Sequence, residues 1–549
     1  MSDREQRTKF PKLPLLPLLP LGLLGAVVAA IVAAWWWLGQ PIAMPVGPAD
    51  IGRLQCISYA PFRPGQNPLE AGTYVPAAQI EEDLGRLRQV TGCVRTYSIE
   101  HGVDQVPAIA QRLGIKVMLG LWLSPDRAKD RVQVDTAVAL AQRYPDVVTD
   151  VIVGNEVLLR GDMSAIDLAA YIREVKAAVP CRVTYADVWE FWNRNPDLGS
   201  LVDFVTIHLL PYWEDFPIPV DRAPAHVESI RRQLMARFPG KEVVIGEVGW
   251  PSEGRMREGA LPSPANQARF LYEVMVEARR AGYRVNVIEA FDQPWKRELE
   301  GTVGGHWGLF DAYRRQAKFD WGGPVSNHPG WRWQAAGGVL LAVLMFGAAG
   351  AIARRRGVVP SSDCWIGVAA GAAVSGIFAG WAWANLPVES LGFGGWLGGV
   401  AWGTVAAVGP VVAAASLAAG VPLPTFGQIL GRRDERPCAP LALASGGALV
   451  VLTVLALQRA LMLVFDPRYV DLPFAPLLAA AVPFLMAALW LKPAKGARPA
   501  AEKLAAGVLA LSAIYIVINE TVANWQALLF CAGLAILALT LARARAAPD

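Results

Sequence analysis

Two glutamates each close a β-rich run of the chain, Glu156 in VTDVIVGNEV (148–157) and Glu247 in KEVVIGEVGWP (241–251). A carboxylate that follows a long apolar strand is costly to desolvate, so it is seldom placed there for packing. Two facing carboxyl groups can cleave a glycosidic bond, one ionised and one protonated. The alternative for either glutamate alone is an ion pair with Arg95 or Lys296. The presence of both favours the chemical interpretation.

The elements that must position this pair are eight short β-rich runs separated by segments of helical periodicity. Near-continuous apolar strands alternating with helices predict a parallel sheet buried on both faces. Eight such units within residues 50–325 predict a (β/α)8 TIM barrel. The alternative, a doubly wound open sheet, usually carries a Gly-rich phosphate loop after its first strand, and none is present. The runs are 53–62, 92–99, 115–124, 148–157, 181–189, 202–213, 241–251 and 285–295.

Polar and aromatic side chains gather where these runs end, which is where a barrel of this type builds its active site. The runs that carry Glu156 and Glu247 are the fourth and the seventh, which lie roughly across a barrel from each other. Aromatic rings at these positions are suited to stacking on sugar rings. His208 is predicted to be a hydrogen-bonded wall residue and not a catalyst. The predicted substrate-binding residues are Tyr59, Arg95, Tyr97, Trp122, Asn155, Asp187, His208, Tyr212, Trp250, Glu289, Gln293, Trp295 and Lys296.

Two motifs carry a family resemblance over residues 50–325. IGEVGWPS (245–252) resembles the nucleophile signature of glycoside hydrolase family 17, the β-1,3-glucanases and β-glucan transglycosylases, and GNE (154–156) resembles the acid/base motif of the wider clan of barrel glycosidases. The resemblance implies that Glu247 is the nucleophile and Glu156 the acid/base. It also implies that Asn155 binds the sugar 2-hydroxyl and that Tyr212 orients the nucleophile. Members are retaining, which implies a covalent glucosyl-enzyme and carboxyl groups about 5 Å apart.

The eighth run departs from the family pattern at one position. Members often have an acidic residue where this chain has Gln293 in FDQPWK, while Lys296 and Glu300 still match nearby. We expect Gln293 to contact sugar rather than to take part in the chemistry, so the departure affects subsite details.

The composition predicts a membrane protein. Of 549 residues, 54% are hydrophobic, and the last third is mostly Ala, Leu, Val, Gly and Trp. Such a chain is too apolar for an ordinary soluble protein, although buried core helices are the alternative. Eight apolar runs are long enough to span a bilayer: 13–38, 335–353, 363–385, 393–419, 440–465, 472–491, 504–519 and 524–542.

Basic residues alternate along the loops between these runs. They follow the first, third, fifth and seventh runs after residue 333, whereas the loops around Glu389, Asp466 to Asp471 and Glu520 hold one basic residue, Arg468. This pattern predicts a multi-pass protein of the bacterial inner membrane, with residues 1–12 and 543–549 cytoplasmic and residues 50–325 in the periplasm. The formal net charge of +4 is too small and scattered to indicate a nucleic-acid partner. The basic residues in question are Arg354, Arg355, Arg356, Arg432, Arg433, Arg436, Lys492, Lys495, Arg498, Lys503, Arg543 and Arg545.

The six cysteines show no C-x-x-C metal spacing, and we expect neither a metal nor a cofactor. Cys56 and Cys93 fall in neighbouring strands and could form a disulfide in an extracytoplasmic domain. The favoured interpretation is that they are lone, buried hydrophobic residues.

Tethering to a membrane favours remodelling of a nascent periplasmic glucan over its degradation. The chain is similar to the bacterial membrane-bound branch of the family, which includes the NdvC-type proteins of cyclic β-glucan synthesis. That similarity implies transglycosylation forming β-1,3 or β-1,6 bonds, with β-glucan, the lipid bilayer and a glucan synthase of the same membrane as candidate partners. One alternative is a membrane-anchored endo-β-1,3-glucanase. Another is a non-catalytic scaffold for glucan binding or export, which the few polar residues within the spans and the presence of both glutamates disfavour.

Overall fold

A computed structural model describes residues 18–45, 53–431, 439–491 and 500–543. Several predicted features lie outside these residues. They are the tail 1–12, the first residues of the 13–38 run, most of the tail 543–549, and the basic residues Arg432, Arg433, Arg436, Lys492, Lys495, Arg498 and Arg545.

The first half of the chain forms a closed barrel of eight parallel strands in sequence order. The barrel closes where Cys56 on the first strand lies opposite Asn286 on the last. Each strand falls inside one of the predicted runs, which confirms the TIM barrel and excludes the open sheet. The strands are β1 Cys56–Ser58, β2 Cys93–Arg95, β3 Lys116–Leu121, β4 Val148–Asn155, β5 Arg182–Val188, β6 Val205–Leu209, β7 Val243–Val248 and β8 Val285–Val287.

A ring of helices covers the strands. The helices are amphipathic; in the first of them Ile80, Leu84 and Leu87 recur at helical spacing and are fully buried. Side-chain caps define several starts, as where Asp126 accepts hydrogen bonds from the amides of Ala128 and Lys129. The helices are α2 Ala77–Leu87, α3 Val106–Leu113, α4 Arg127–Arg143, α5 Ala165–Ala178, α6 Trp189–Arg194, α7 Ala223–Arg237, α8 Pro264–Ala281 and α9 Arg297–Gly304.

The remaining helices form a second, largely apolar body. Among the described residues, seven helices are long and apolar enough to cross a membrane, and Phe474–Trp490, at 17 residues, is shorter. Small residues let their backbones approach closely, since a Cβ on Gly338 would lie 2.0 Å from the carbonyl oxygen of Gly376. The helices are α1 Leu18–Leu38, α10 Trp331–Arg356, α11 Ser362–Glu389, α12 Gly392–Ala419, α13 Phe426–Leu430, α14 Pro440–Phe465, α15 Phe474–Trp490, α16 Ala500–Glu520 and α17 Trp525–Arg543.

The barrel and the helical body are tied together at several points. The segments that enter and leave the barrel pair through Ile42 and Val325. Arg255 on the loop after β7 forms a buried ion pair with Glu520 at the end of α16. Arg297 donates to the carbonyl oxygen of Ser390 after α11, at 3.1 Å.

Cys56 and Cys93 form a disulfide between β1 and β2. The expectation that they are lone hydrophobic residues was therefore wrong. The parallel pairing of the two strands brings their Cα atoms to 4.5 Å, within the range that a disulfide spans.

Candidate active site

The two glutamates meet at the mouth of the barrel. Glu247 lies within β7, and Glu156 follows β4 directly. One carboxylate oxygen of each lies within 4.8 Å of the other and of a ring nitrogen of His208. His208 is placed between them, with Nδ1 2.9 Å from Oε1 of Glu156 and Nε2 3.6 Å from Oε1 of Glu247. The separation is close to the ~5 Å that a retaining glycosidase needs.

The backbone at the end of β4 is unusual. Gly154 has φ +90°, and Glu156 has φ +52°, in the left-handed region that non-glycine residues rarely adopt. This conformation costs about 1–2 kcal/mol for an L-residue with a Cβ. Such strain persists where the surrounding structure maintains it, and it is concentrated at functional sites. The turn aims the Glu156 side chain into the mouth of the barrel, where it stays partly accessible.

Glu247 is surrounded by positive charge. Its side chain is 6% exposed, and Nη1 of Arg95, itself 1% exposed, lies 2.8 Å from its Oε1. Burial opposes ionisation, but the charges of His208, Arg95 and Lys296 and the Tyr97 phenol outweigh it, so the pKa of Glu247 lies below its ordinary value. These surroundings therefore keep Glu247 ionised.

Arg95 also connects the two sides of the site. Its second terminal nitrogen donates to Oδ1 of Asn155 at 2.5 Å, and Nη1 donates to the carbonyl oxygen of Gly246 at 3.0 Å. One buried guanidinium thus orients the residue before Glu156 and the carboxylate of Glu247 together.

Two further carboxyl groups lie close to the site. Burial raises the pKa of Glu289 to about 7 although Nζ of Lys296 is 3.1 Å away. Burial also raises the pKa of Asp187 to about 6, while a hydrogen bond from Tyr185 opposes the rise. Both pKa values thus lie closer to neutral pH than that of an ordinary carboxyl group, with burial as the main cause.

A cleft of about 840 Å³ opens above the two glutamates. This volume lies in the range of pockets that enclose most of a bound organic ligand. The predicted site residues that line the cleft are Tyr59, Tyr97, Trp122, Asn155, Glu156, His208, Glu247, Trp295 and Lys296.

Residues 56–308 match the family model of the BtgE/BtgC glycoside hydrolase domain. The barrel is therefore similar to glycoside hydrolase domains of the family 17 type. The probable family 17 glucosidase SCW10 of Saccharomyces cerevisiae is 27% identical over 265 residues, which cover 47% of this chain and 64% of the yeast protein. A glucan 1,3-beta-glucosidase of Arthroderma benhamiae is 28% identical, covering 43% of this chain and 82% of its own length. The family 17 beta-1,3-glucanosyltransferase structure from Rhizomucor miehei is 26% identical, covers 48% of this chain and 95% of its own, and gives a TM-score of 0.43.

Six of the predicted substrate-binding residues are not among those that line the cleft. Each is buried by its neighbours, and direct contact of these side chains with a sugar stays a prediction. They are Arg95, Asp187, Tyr212, Trp250, Glu289 and Gln293.

Tyr212 does not take the role that the resemblance implied. Its hydroxyl donates to the carbonyl oxygen of Arg255 at 2.9 Å rather than to Glu247. The phenol that lowers the pKa of Glu247 belongs to Tyr97, which follows β2. Tyr97 is therefore the tyrosine beside the predicted nucleophile, Glu247.

Trp250 and Gln293 are held within the domain. The indole of Trp250 donates to the carbonyl oxygen of Leu261 at 2.9 Å. The amide of Gln293 donates to the carbonyl oxygen of Ala60, also at 2.9 Å, and accepts from the indole of Trp295 at 2.8 Å. Gln293 thus fixes the orientation of Trp295, which does line the cleft.

Residues outside the predicted set also line the cleft, among them Arg160, Trp213, Arg468 and Tyr469. Arg160 lies 4.1 Å from the centre of the Trp122 ring, and Trp213 follows β6. The other two, Arg468 and Tyr469, come from the connection between α14 and α15. The sequence held a signal that could have indicated this loop. Arg468 is the one basic residue in the loops assigned to the barrel side of the membrane.

Proposed function

We propose that this chain is a retaining enzyme acting on β-1,3-glucan, with Glu247 as nucleophile and Glu156 as acid/base. The observation that carries the proposal is the pair of carboxylates within 4.8 Å at the ends of β4 and β7. Their surroundings differ. Glu247 is buried among positive charges that keep it ionised, whereas Glu156 faces the cleft and is 24% exposed.

In the first step the Glu247 carboxylate attacks the anomeric carbon and forms a glucosyl ester, while Glu156 delivers its proton to the leaving oxygen. In the second step Glu156 accepts a proton from the incoming hydroxyl, which displaces Glu247 from the sugar. Arg95 holds Glu247 in place through its hydrogen bond, and the Tyr97 phenol lies beside it. His208, hydrogen-bonded to Glu156, orients the acid/base.

The substrate class follows from the site and the relatives together. The yeast and Arthroderma proteins are described as a family 17 glucosidase and a glucan 1,3-beta-glucosidase. Aromatic rings that follow several strands line the groove of this chain, among them Trp122, Trp189, Trp213 and Trp295. Such rings offer stacking faces for successive glucose units.

The second-step acceptor is proposed to be a glucan hydroxyl, so that the enzyme remodels glucan by transglycosylation. Two features support this. The barrel is tied to an apolar helical body at both ends, which suits work on a membrane-associated chain. Residues of that body extend the cleft wall beyond the barrel, which adds surface for an acceptor. Hydrolysis by a membrane-anchored endo-β-1,3-glucanase is the alternative outcome.

The location is proposed to be a bacterial inner membrane, with the barrel on the periplasmic side. The loops after α11, α14 and α16, which hold a single basic residue, all contact the barrel through Ser390, Asp471 and Glu520. Helix α10, about 39 Å long by its 26 residues, carries Arg354–Arg356 at its far end. The disulfide is also typical of an oxidising compartment. The bilayer, β-glucan and a glucan synthase of the same membrane are the proposed partners.

The catalytic proposal is tested on the full chain in detergent with β-1,3-gluco-oligosaccharides, with products followed by mass spectrometry. Products longer than the substrate establish transglycosylation, and exclusively shorter products establish hydrolysis. Glu247→Gln should abolish both. Glu242→Gln is the matched control, since this glutamate lies on the same segment at the opposite end of the barrel, paired with Arg284. If the wild-type chain binds glucan without converting it, a non-catalytic binding scaffold replaces the enzyme.

The topology is tested with one introduced cysteine at a time in a Cys181→Ser background, in which the remaining free cysteines, Cys364 and Cys531, are buried. A membrane-impermeant maleimide should label Phe216→Cys, 79% exposed on the barrel, in intact spheroplasts. Val359→Cys, 93% exposed after α10, should be labelled only after permeabilisation. The reverse pattern would invert the proposed orientation.

A further inference from the structure

The loop between α14 and α15 reaches the catalytic cleft. This loop (466–473) belongs to the helical body and lies far outside the residues that match the glycoside hydrolase family model. Two of its side chains, Arg468 and Tyr469, form part of the cleft wall. The cleft is therefore a composite of barrel and helical body.

The backbone of the loop is anchored to the barrel on both sides of Tyr469. The buried guanidinium of Arg255 donates to the carbonyl oxygens of Pro467 and Val470, the latter at 3.0 Å. The hydroxyl of Thr302 donates to Oδ2 of Asp471 at 2.7 Å. These contacts hold the loop in a defined position against the loops that follow β7 and β8.

Glycine at position 301 is needed for this approach. Gly301 has φ +70°, and a Cβ there would lie 2.6 Å from the carbonyl oxygen of Tyr469. A side chain at this position would be strained and would also displace the loop. The barrel thus provides a surface that fits the backbone of the helical-body loop.

The side chains of the loop stay accessible although its backbone is anchored. Tyr469 is 41% exposed, and its ring meets Trp213 edge-on at 6.1 Å. Trp213 lies nearly parallel to Trp307 at 6.5 Å. The guanidinium of Arg468 is 5.5 Å from the Tyr469 ring and is exposed.

This combination has the chemistry of carbohydrate recognition. Rigid aromatic faces pack against the apolar C–H faces of a pyranose, and a guanidinium supplies several N–H donors to its hydroxyls. The ring and cation contacts of Arg468 and Tyr469 are with each other and with Trp213, and not with Glu156 or Glu247. We therefore expect these two side chains to contact a glucose unit other than the one that Glu247 attacks.

We propose that Arg468 and Tyr469 form a glucosyl-binding subsite that the helical body contributes to the cleft. The inference rests on the proposed glucan activity of the same cleft. The subsite makes the enzyme select for chains long enough to reach beyond the catalytic pair. It also requires that the barrel be bound to the helical body while it is active.

The test compares kcat/KM for short and long β-1,3-gluco-oligosaccharides, using the full chain in detergent. Tyr469→Ala should lower kcat/KM for long substrates about tenfold and leave the shortest cleaved substrate unchanged. Tyr469→Phe keeps the ring and is the matched control, with near-wild-type values expected. Gly301→Ala should reproduce the loss by displacing the loop, although it changes neither Arg468 nor Tyr469. An equal effect of Tyr469→Ala on all lengths, or none on any, would overturn the subsite.

Binding measured by calorimetry in a Glu247→Gln background separates this inference from the proposed function. If long oligosaccharides bind less tightly on Tyr469→Ala while the wild-type chain converts none, the subsite stands and the enzymatic proposal fails. If the wild-type chain is active and Tyr469→Ala leaves long-chain binding unchanged, the subsite fails alone.

Discussion

Arg95→Met is expected to move the acidic limb of the pH–activity profile to higher pH. Arg95 and Glu247 are both buried, with Nη1 and Oε1 2.8 Å apart. Their Coulomb attraction at an effective dielectric near 20 is about 6 kcal/mol, which desolvation reduces. An opposite charge at this range lowers a carboxyl pKa by about 1–3 units, or roughly 1.4–4 kcal/mol.

The sign of the change follows from the role proposed for Glu247. The nucleophile must be ionised, so activity is lost as pH falls through its pKa. The positive charges around Glu247 lower that pKa against the effect of burial, which extends activity to lower pH. Methionine fills much of the volume of Arg95 without its charge. The pKa should therefore rise, and the acidic limb of kcat/KM, which reports the free enzyme, should move up by about 1–3 pH units.

The assay is kcat/KM against pH on a β-1,3-gluco-oligosaccharide. Arg182→Met is the control, because Arg182 pairs with buried Asp150 at the other end of the barrel, 2.7 Å away. That variant should leave the limb in place. If Arg95→Met lowers the plateau but does not move the limb, Arg95 only positions the site and its charge does not keep Glu247 ionised.

Three other perturbations have definite expected results. Glu156→Gln should lower kcat/KM about 10²–10⁴-fold on natural glucan but much less on aryl glucosides, whose leaving groups need no proton; equal losses would assign Glu156 another role. Cys56→Ser should lower the free energy of unfolding by about 3–4 kcal/mol because it opens the loop that the disulfide closes, which has a sequence separation of 37. The control Cys181→Ser should change this free energy little because Cys181 is not in a disulfide, and thermal unfolding measures both variants. Arg255→Ala should cost about 3–5 kcal/mol by leaving Glu520 buried and unpaired, and should expose the junction of barrel and helical body to protease. The control Arg280→Ala, a surface change, should leave the free energy of unfolding unchanged. If the two variants are equally resistant to the protease, the role given to Arg255 is refuted.

The periodic patterns of the chain were sufficient to predict its architecture. Each of the eight strands lies in a predicted run because apolar β-rich segments recur with helices between them. The positions of Glu156 and Glu247 followed from the same pattern, since a parallel barrel brings the carboxyl ends of its strands to one rim. The predicted spans likewise correspond to apolar helices, because length and hydrophobicity are local properties. The catalytic roles of the two glutamates stay predictions.

Tertiary structure decided which of the residues at the rim face the cleft. Tyr97, not Tyr212, is the tyrosine beside Glu247, and Gln293 supports a tryptophan, because the direction of a loop side chain depends on neighbours distant in sequence. The disulfide depended on a strand register that no local pattern specifies. The contribution of Tyr469 to the cleft depends on contacts between distant segments of the chain. One such contact joins Thr302 and Asp471, which are 169 residues apart in the sequence. Sequence patterns report local preference, whereas a composite site is created only when the folded barrel and the helical body meet.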